Sequence, residues 1–253
     1  MKAHTSNLNR LSANLTGVRL YVAVALIVML GAAWTWSKAM TFNDFDNAVV
    51  SPLVPVRVWN YGLASFDRTH ILKLDWLWDL PKAPVNKRVL KAALHNWQWS
   101  GIASFVSGAP QGVGLTTVAA FDFTGTPSQG ARVVITGDPV LPKSERSFSR
   151  NFRTEVFRMP ARGTIGNAAP TQFRGPGINN WDMALFKDFP LREHVRLQFR
   201  AGAYNAFNDT QCSAVDTTAG CDATSGKQVN TRFGEFTAAR SPRIMQLALR
   251  LYF

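Results

Sequence analysis

The sequence predicts a mainly β fold: an antiparallel transmembrane β-barrel, partial, with about six long strands, long extracellular loops and an N-terminal apolar segment. Three observations predict it. First, alternate residues of the final stretch, Met245, Leu247, Leu249, Leu251 and Phe253, are apolar, with Gln246 and Arg250 between them. A strand turns successive side chains to opposite faces, so this is one apolar face and one mixed face. Soluble strands at a terminus are usually frayed and polar at the tip. A strand that crosses lipid must be apolar outside along its whole length and paired with its neighbours. Second, charged residues are only 17% of the chain, against roughly 25% in soluble domains. Third, the connections between alternating segments are long and short in turn.

The elements follow in order. Residues 1–19 are polar and carry Lys2, Arg10 and Arg19, and no charge occurs from Leu20 to Trp36. Three readings of this run stand open. It has the layout of an export signal, with Gly31 and Ala33 at positions −3 and −1 of a cut after Ala33. It is long enough for one membrane-spanning helix. It also suits an apolar barrel strand. The domain division is therefore 1–32 as a basic and apolar segment (signal peptide or anchor) and 33–253 as barrel. From Ala33 alternation begins, with Trp34, Trp36, Met40 and Phe42 on one parity. A loop spans 43–69. His70 to Asp79 is a clear strand: Leu72, Leu74, Trp76 and Trp78 share one face, Lys73, Asp75 and Asp79 the other. Pro81 and Pro84 end it, since proline cannot donate to a ladder.

Residues 85–96 have room for one or two helical turns. Trp97 to Phe105 alternates again. The long stretch 108–180, rich in Gly, Pro, Thr and Arg, holds one short strand pattern, ARVVIT. Such a stretch is out of place in a compact soluble domain but is an ordinary outer loop of a barrel. Trp181 to Phe189 is a strand with Asp182 and Asp188 inward; PLREH reverses the chain; Val195 to Phe207 follows, then a cysteine-bearing loop and the final strand. With the C-terminus on the periplasmic side, every long loop lands outside. Trp34, Trp97, Trp181, Phe189 and Phe253 fall near strand ends, where aromatic girdles sit.

The net charge of +12 points to nucleic acid, an anionic membrane surface or anionic ligands. No compact run of five or six Lys and Arg occurs, which argues against nucleic acid as a partner. Cys212 and Cys221 lie in a Ser/Thr/Gly/Asp-rich loop; a disulfide in an oxidising compartment is the favoured reading, two unrelated thiols the alternative. No metal site, cofactor site or catalytic set is expected. Two cysteines and scattered histidines cannot hold zinc, the GVG at Gly112 to Gly114 has no helix after it, and Asp44 and Asp46 read as solvated turn residues. Arg196, Arg200 and Arg250 share the inward face of two adjacent strands. They are either a lumen lining paired with Asp182 and Asp188 or a track for an anionic substrate. The segment from Lys143 to Arg174 is either solvated loop charge or a contact for lipopolysaccharide phosphates.

Several segments together resemble a known family. TWSKAM, VWNYGLASFDRTHILKLDWLWDLP, NWQWSGIASFVSGAP, FRGPGINNWDMALFKDFPL, VRLQFRAGAYNAFN and PRIMQLALRLYF look like the C-terminal barrel of TonB-dependent receptors. The nearest subgroup is the Oar-like one, which carries a carboxypeptidase-regulatory-like domain. The pairing of GPGxxNWDxxLFK with RLQFRAxxxNAFN is specific; each piece alone is weak. The resemblance implies an outer-membrane location and a barrel of about 22 strands with a plug and a TonB-contacting segment. It also implies a terminal strand that the barrel-assembly machinery recognises through Met245, Leu247, Leu249, Leu251 and Phe253. Outer-membrane lipid and lipopolysaccharide are the surrounding partners, and the N-terminal part of such a receptor is a further one. About six strands leave two open edges, which lipid does not tolerate. The chain thus reads as a fragment, a truncated product or half of a split receptor, not competent for transport alone. The outer edge of its last strand is expected to stay unpaired or to close on a wrong neighbour. An exported, membrane-anchored β-rich binding or structural protein is the alternative.

Overall fold

A computed structural model describes residues 28–42, 54–119, 121–126 and 129–253. Period-two alternation makes each long segment a strand, because only an extended backbone sorts apolar and polar side chains onto two faces. Six long strands result: β1 (Val28–Trp36), β2 (His70–Asp79), β3 (Trp97–Val106), β4 (Ile178–Arg192), β5 (Val195–Tyr204) and β6 (Ile244–Tyr252). They form one sheet in chain order, each antiparallel to the next. Among the described residues the outer edges of β1 and β6 pair with nothing, so the wall is open and β6 is left unpaired on one side, as expected.

The register aligns the apolar positions of all six strands. Directly opposed residues share a face. One row crosses the whole wall as Leu30, Trp76, Gly101, Met183, Ala203 and Met245. Nearer the long loops runs Trp34, Leu72, Phe105 and Asn179; nearer the short loops runs Trp97, Lys187, Phe199 and Leu249. On β6, Met245, Leu247 and Leu249 are each 67% exposed, far too apolar a surface to stand in water. The opposite face carries Lys73, Asp75, Asp79, Gln98, Ser100, Asp182, Asp188, Arg196, Gln198, Arg200 and Arg250.

Gly101 sits where the apolar face is most crowded. Trp76 contacts Trp99 edge-on at 5.2 Å between ring centroids and Trp181 at 6.1 Å. A Cβ at Gly101 would meet the Trp76 ring at 2.3 Å and the Asp182 carbonyl at 2.8 Å. Gly101→Ala is therefore expected to displace Trp76 and to destabilise the sheet by about 1–3 kcal/mol. The checks are the denaturant midpoint and tryptophan emission of the purified protein.

Several boundaries differ from the sequence reading. β1 begins at Val28, inside the segment assigned to a leader, so a cut after Ala33 would sever it. Residues 1–27 lie outside the described residues, as do Asp44 and Asp46. No helix among the described residues is long and apolar enough to cross a membrane. β4 runs on through a bulge near Pro190 to Arg192, so only Glu193 and His194 make the reversal. Residues 85–96 do hold a helix, Arg88–Leu94. It ends at Asn96, whose φ of 59° suits asparagine.

The long loops are not loose. They build a cap with its own core of Val113, Val133, Phe152, Phe157, Phe173, Val215 and Phe233, drawn from two separate connections. Phe152 is its centre, stacked on Phe173 at 4.3 Å and edge-on to Phe233 at 5.2 Å. Short pairings hold it: Pro110–Gln111 with Phe173–Arg174, Cys212–Val215 with Phe236–Ala239, and Thr218–Cys221 parallel to Gly114–Thr117. Of the ARVVIT pattern, only Val134–Ile135 is strand, paired with Phe157–Arg158. The expected disulfide is not formed; Cys212 and Cys221 are free thiols. The two sit on different two-stranded ribbons, each fixed by its own partner strand.

Candidate functional site

Charge on the polar face is divided. β2 and β4 bring Asp75, Asp79, Asp182 and Asp188 with one cation, Lys73; β5 and β6 bring Arg196, Arg200 and Arg250. The register puts all five expected lumen residues, Arg196, Arg200, Arg250, Asp182 and Asp188, on this one face. They do not form one cluster. Arg196 approaches Asp188 at 3.6 Å, and its guanidinium lies 4.5 Å from the Tyr252 ring centre. Asp188 also accepts from Gln198, whose amide oxygen accepts from the Tyr252 hydroxyl, so a polar chain links β4, β5 and β6. Arg200 lies over Phe186 at 5.2 Å.

Asp182 does other work. Its carboxylate accepts from the Asn205 backbone N–H at 3.0 Å, and the Ala206 N–H donates to the Trp181 carbonyl at 2.8 Å. Asn205 has φ 48° and Asn208 φ 55°, a left-handed turn that asparagine tolerates. The Asn208 side chain accepts from the Arg243 N–H just before β6. Thus the NWD and NAFN pieces of the sequence are one strand-end device, and Asp182 is not free to pair with arginine.

Two shallow cavities lie along this face. One of about 380 Å³ at the short-loop end is lined by Asp79, Asn96, Gln98, Asp188 and Arg196. The other, of about 350 Å³, is midway, with Asp75, Asp182 and Arg200 on its walls. Both can bind a polar solute by charge and hydrogen bonding. No group of three or more His, Cys, Asp and Glu suited to a metal ion occurs among the described residues.

An unpaired, apolar-faced antiparallel wall with a charged reverse side is the geometry of a barrel segment seen from its two sides. A family model described as an outer membrane beta barrel domain matches residues 18–246. The chain belongs to this family. No curated protein and no solved structure matches it. The protein is thereby placed in the outer membrane, where the apolar face of a barrel wall meets lipid.

Sequence reasoning missed two residues in this barrel. Lys187 is on the lipid face between Leu185 and Phe189, yet only 2% exposed. Its ammonium donates to the carbonyls of His95 at 2.7 Å and Asp188 at 3.0 Å and lies 4.3 Å from the Phe189 ring centre. Parity alone would have found it, since it shares the alternation of Met183 and Leu185. The second is Asp67, a fully buried carboxylate that accepts from the Ala39 N–H at 2.6 Å and pairs with Arg174. Arg174 also donates to the Gly108 carbonyl at 3.0 Å, so one guanidinium joins two long loops at the barrel rim. Nothing in the spacing of residues 67 and 174 announces that contact.

Proposed function

We propose that the chain is the C-terminal part of the barrel of a TonB-dependent receptor of the Oar-like kind. It contributes to uptake across the outer membrane when the rest of a receptor completes the wall, and it is not an enzyme. One observation carries this reading. The segments that bear the resemblance are each other's partners: Asp67 of FDRTH with Arg174 of FRGPG, and Asp182 of NWD with Asn205 of NAFN. A set of motifs kept together by mutual contacts behaves as one inherited unit. The open edges of β1 and β6 support the same reading, because lipid tolerates no unpaired strand edge.

In this reading the barrel-assembly machinery takes the chain through β6 by strand addition. Outer-membrane lipid and lipopolysaccharide surround the wall, and the remaining receptor strands pair with its edges. The test is the composition of the barrel. A tagged chain isolated from outer membranes in mild detergent is expected to bring with it a second polypeptide that carries plug and strands. Recovery of this chain alone, as a closed and heat-modifiable barrel, overturns the proposal.

A further inference from the structure

A cavity of about 900 Å³ lies where the lipid face meets the cap. Its floor is the row Trp34, Leu72, Phe105 and Asn179, four neighbours on successive strands of the apolar face. Its roof includes Lys143 and Arg146, from the turn Lys143–Glu145 and the residue after it. Trp34 is 66% exposed and stacks on His70 at 6.0 Å. The Lys143 ammonium has no partner among the described residues, and Arg146 uses only its Nε, on the Leu141 carbonyl. Arg174 also lines the cavity but is already held by Asp67. The surrounding segment 143–174 carries seven Lys and Arg against two Glu.

We infer that this rim cavity is a binding site for a phosphorylated glycolipid of the outer leaflet, its phosphates on Lys143 and Arg146 and its acyl chains along Trp34, Leu72 and Phe105. The inference deepens the lipopolysaccharide contact proposed above and rests on it. Cations directly above an aromatic and aliphatic row select an amphiphile with an anionic head. An inorganic phosphate would leave most of the space empty, whereas a phosphorylated disaccharide is of the size that cavities of this volume enclose. The long loops place the cavity on the outer side of the membrane. Two cations at a lipid headgroup plane each add attraction to its phosphates.

The test uses the protein extracted from outer membranes in mild detergent together with whatever completes its barrel. Bisphosphorylated lipid A, its dephosphorylated form and phosphatidylglycerol are titrated into it, and bound lipid is read by native mass spectrometry. The double variant K143A/R146A is expected to bind bisphosphorylated lipid A at least about tenfold more weakly. R150A/R153A removes the same charge from residues already paired with Glu155 and Asp138, and is expected to bind as the parent does. Equal loss in both variants, or none in the first, overturns the site. Phosphatidylglycerol binding as tightly as lipid A overturns the glycolipid assignment. Should K143A/R146A not insert, the parent protein decides alone: dephosphorylated lipid A binding as well as the phosphorylated form overturns the site. Protein found in the outer membrane without lipid selectivity removes this inference only, whereas protein found outside that membrane removes the partner reading with it.

Discussion

Leu249→Arg is expected to reduce stable insertion of the barrel segment several-fold. Leu249 lies near the middle of β6, opposes Phe199 and is 67% exposed on the lipid face. An arginine on a barrel's outer face costs up to about 2–4 kcal/mol, the cost falling toward the interfaces. A domain's whole stability is typically about 5–15 kcal/mol, so this is a large fraction of it. The same substitution also breaks the apolar alternation by which an assembly machine could grip the strand. The measurement is the amount of heat-modifiable protein recovered from the outer membrane, followed by the denaturant midpoint of what is recovered. Gln246→Arg is the control, because Gln246 opposes Gly202 on the inward face. It is expected to insert at near the parental level. Equal loss for the two would mean that the faces have been assigned wrongly.

Arg174→Ala is expected to open the cap while leaving the sheet in place. Asp67 is fully buried, and removing Arg174 leaves its carboxylate with the Ala39 N–H as its one described hydrogen-bond donor. Breaking such a pair costs about 2–3 kcal/mol after allowing for the partial exposure of Arg174. Lysine is not expected to rescue it, because one ammonium cannot reproduce the two-pronged reach of guanidinium to Asp67 and the Gly108 carbonyl. Limited proteolysis of the loops, with the heat-modifiable band as the control for the sheet, reads the difference.

The pair also fixes a pH dependence. Burial pushes the Asp67 carboxyl up, but the hydrogen bonds from Arg174 and the Ala39 N–H, with the charges of Arg174 and Arg68, outweigh it and hold the group below the usual carboxylate range. A carboxyl lowered in the folded state stabilises above its unfolded value, about 3.9, and loses that contribution as pH falls through the lower folded value. The parental cap should therefore resist proteolysis at pH 5 and lose protection only in stronger acid. In the Arg174→Ala variant the hydrogen bond and charge that lower the Asp67 carboxyl are gone, so the loss of protection on acidification should be smaller than in the parent, from a lower starting level at neutral pH.

The sheet was legible because alternation is a local signal. Leu72, Leu74, Trp76 and Trp78 declare a face without reference to anything distant, and so do the residues of β6. The helix Arg88–Leu94 was legible for the same reason, bounded as it is by prolines before and Asn96 after. The cap was not legible, since Phe152, Phe173 and Phe233 have no shared period and meet only because the strands bring their loops to one end. Cys212 and Cys221 misled for a related reason. Closeness in sequence suggested a bond, while the ribbons that hold them are chosen by Phe236–Ala239 and Gly114–Thr117, far away in the chain. Asp182 shares the polar face that alternation gives it, but its partner is a backbone amide that composition does not display.

The parallel pairing of Thr218–Cys221 with Gly114–Thr117 has a kinetic meaning. About a hundred residues separate the two segments, and closing so long a loop is entropically unfavourable until something else shortens it. The tight β4–β5 hairpin, reversed by Glu193 and His194, shortens that path. The expected order is sheet first and cap last, checked by the hydrogen exchange of the two during refolding. In that order Phe152, Phe173 and Phe233 meet only after the wall beneath them stands.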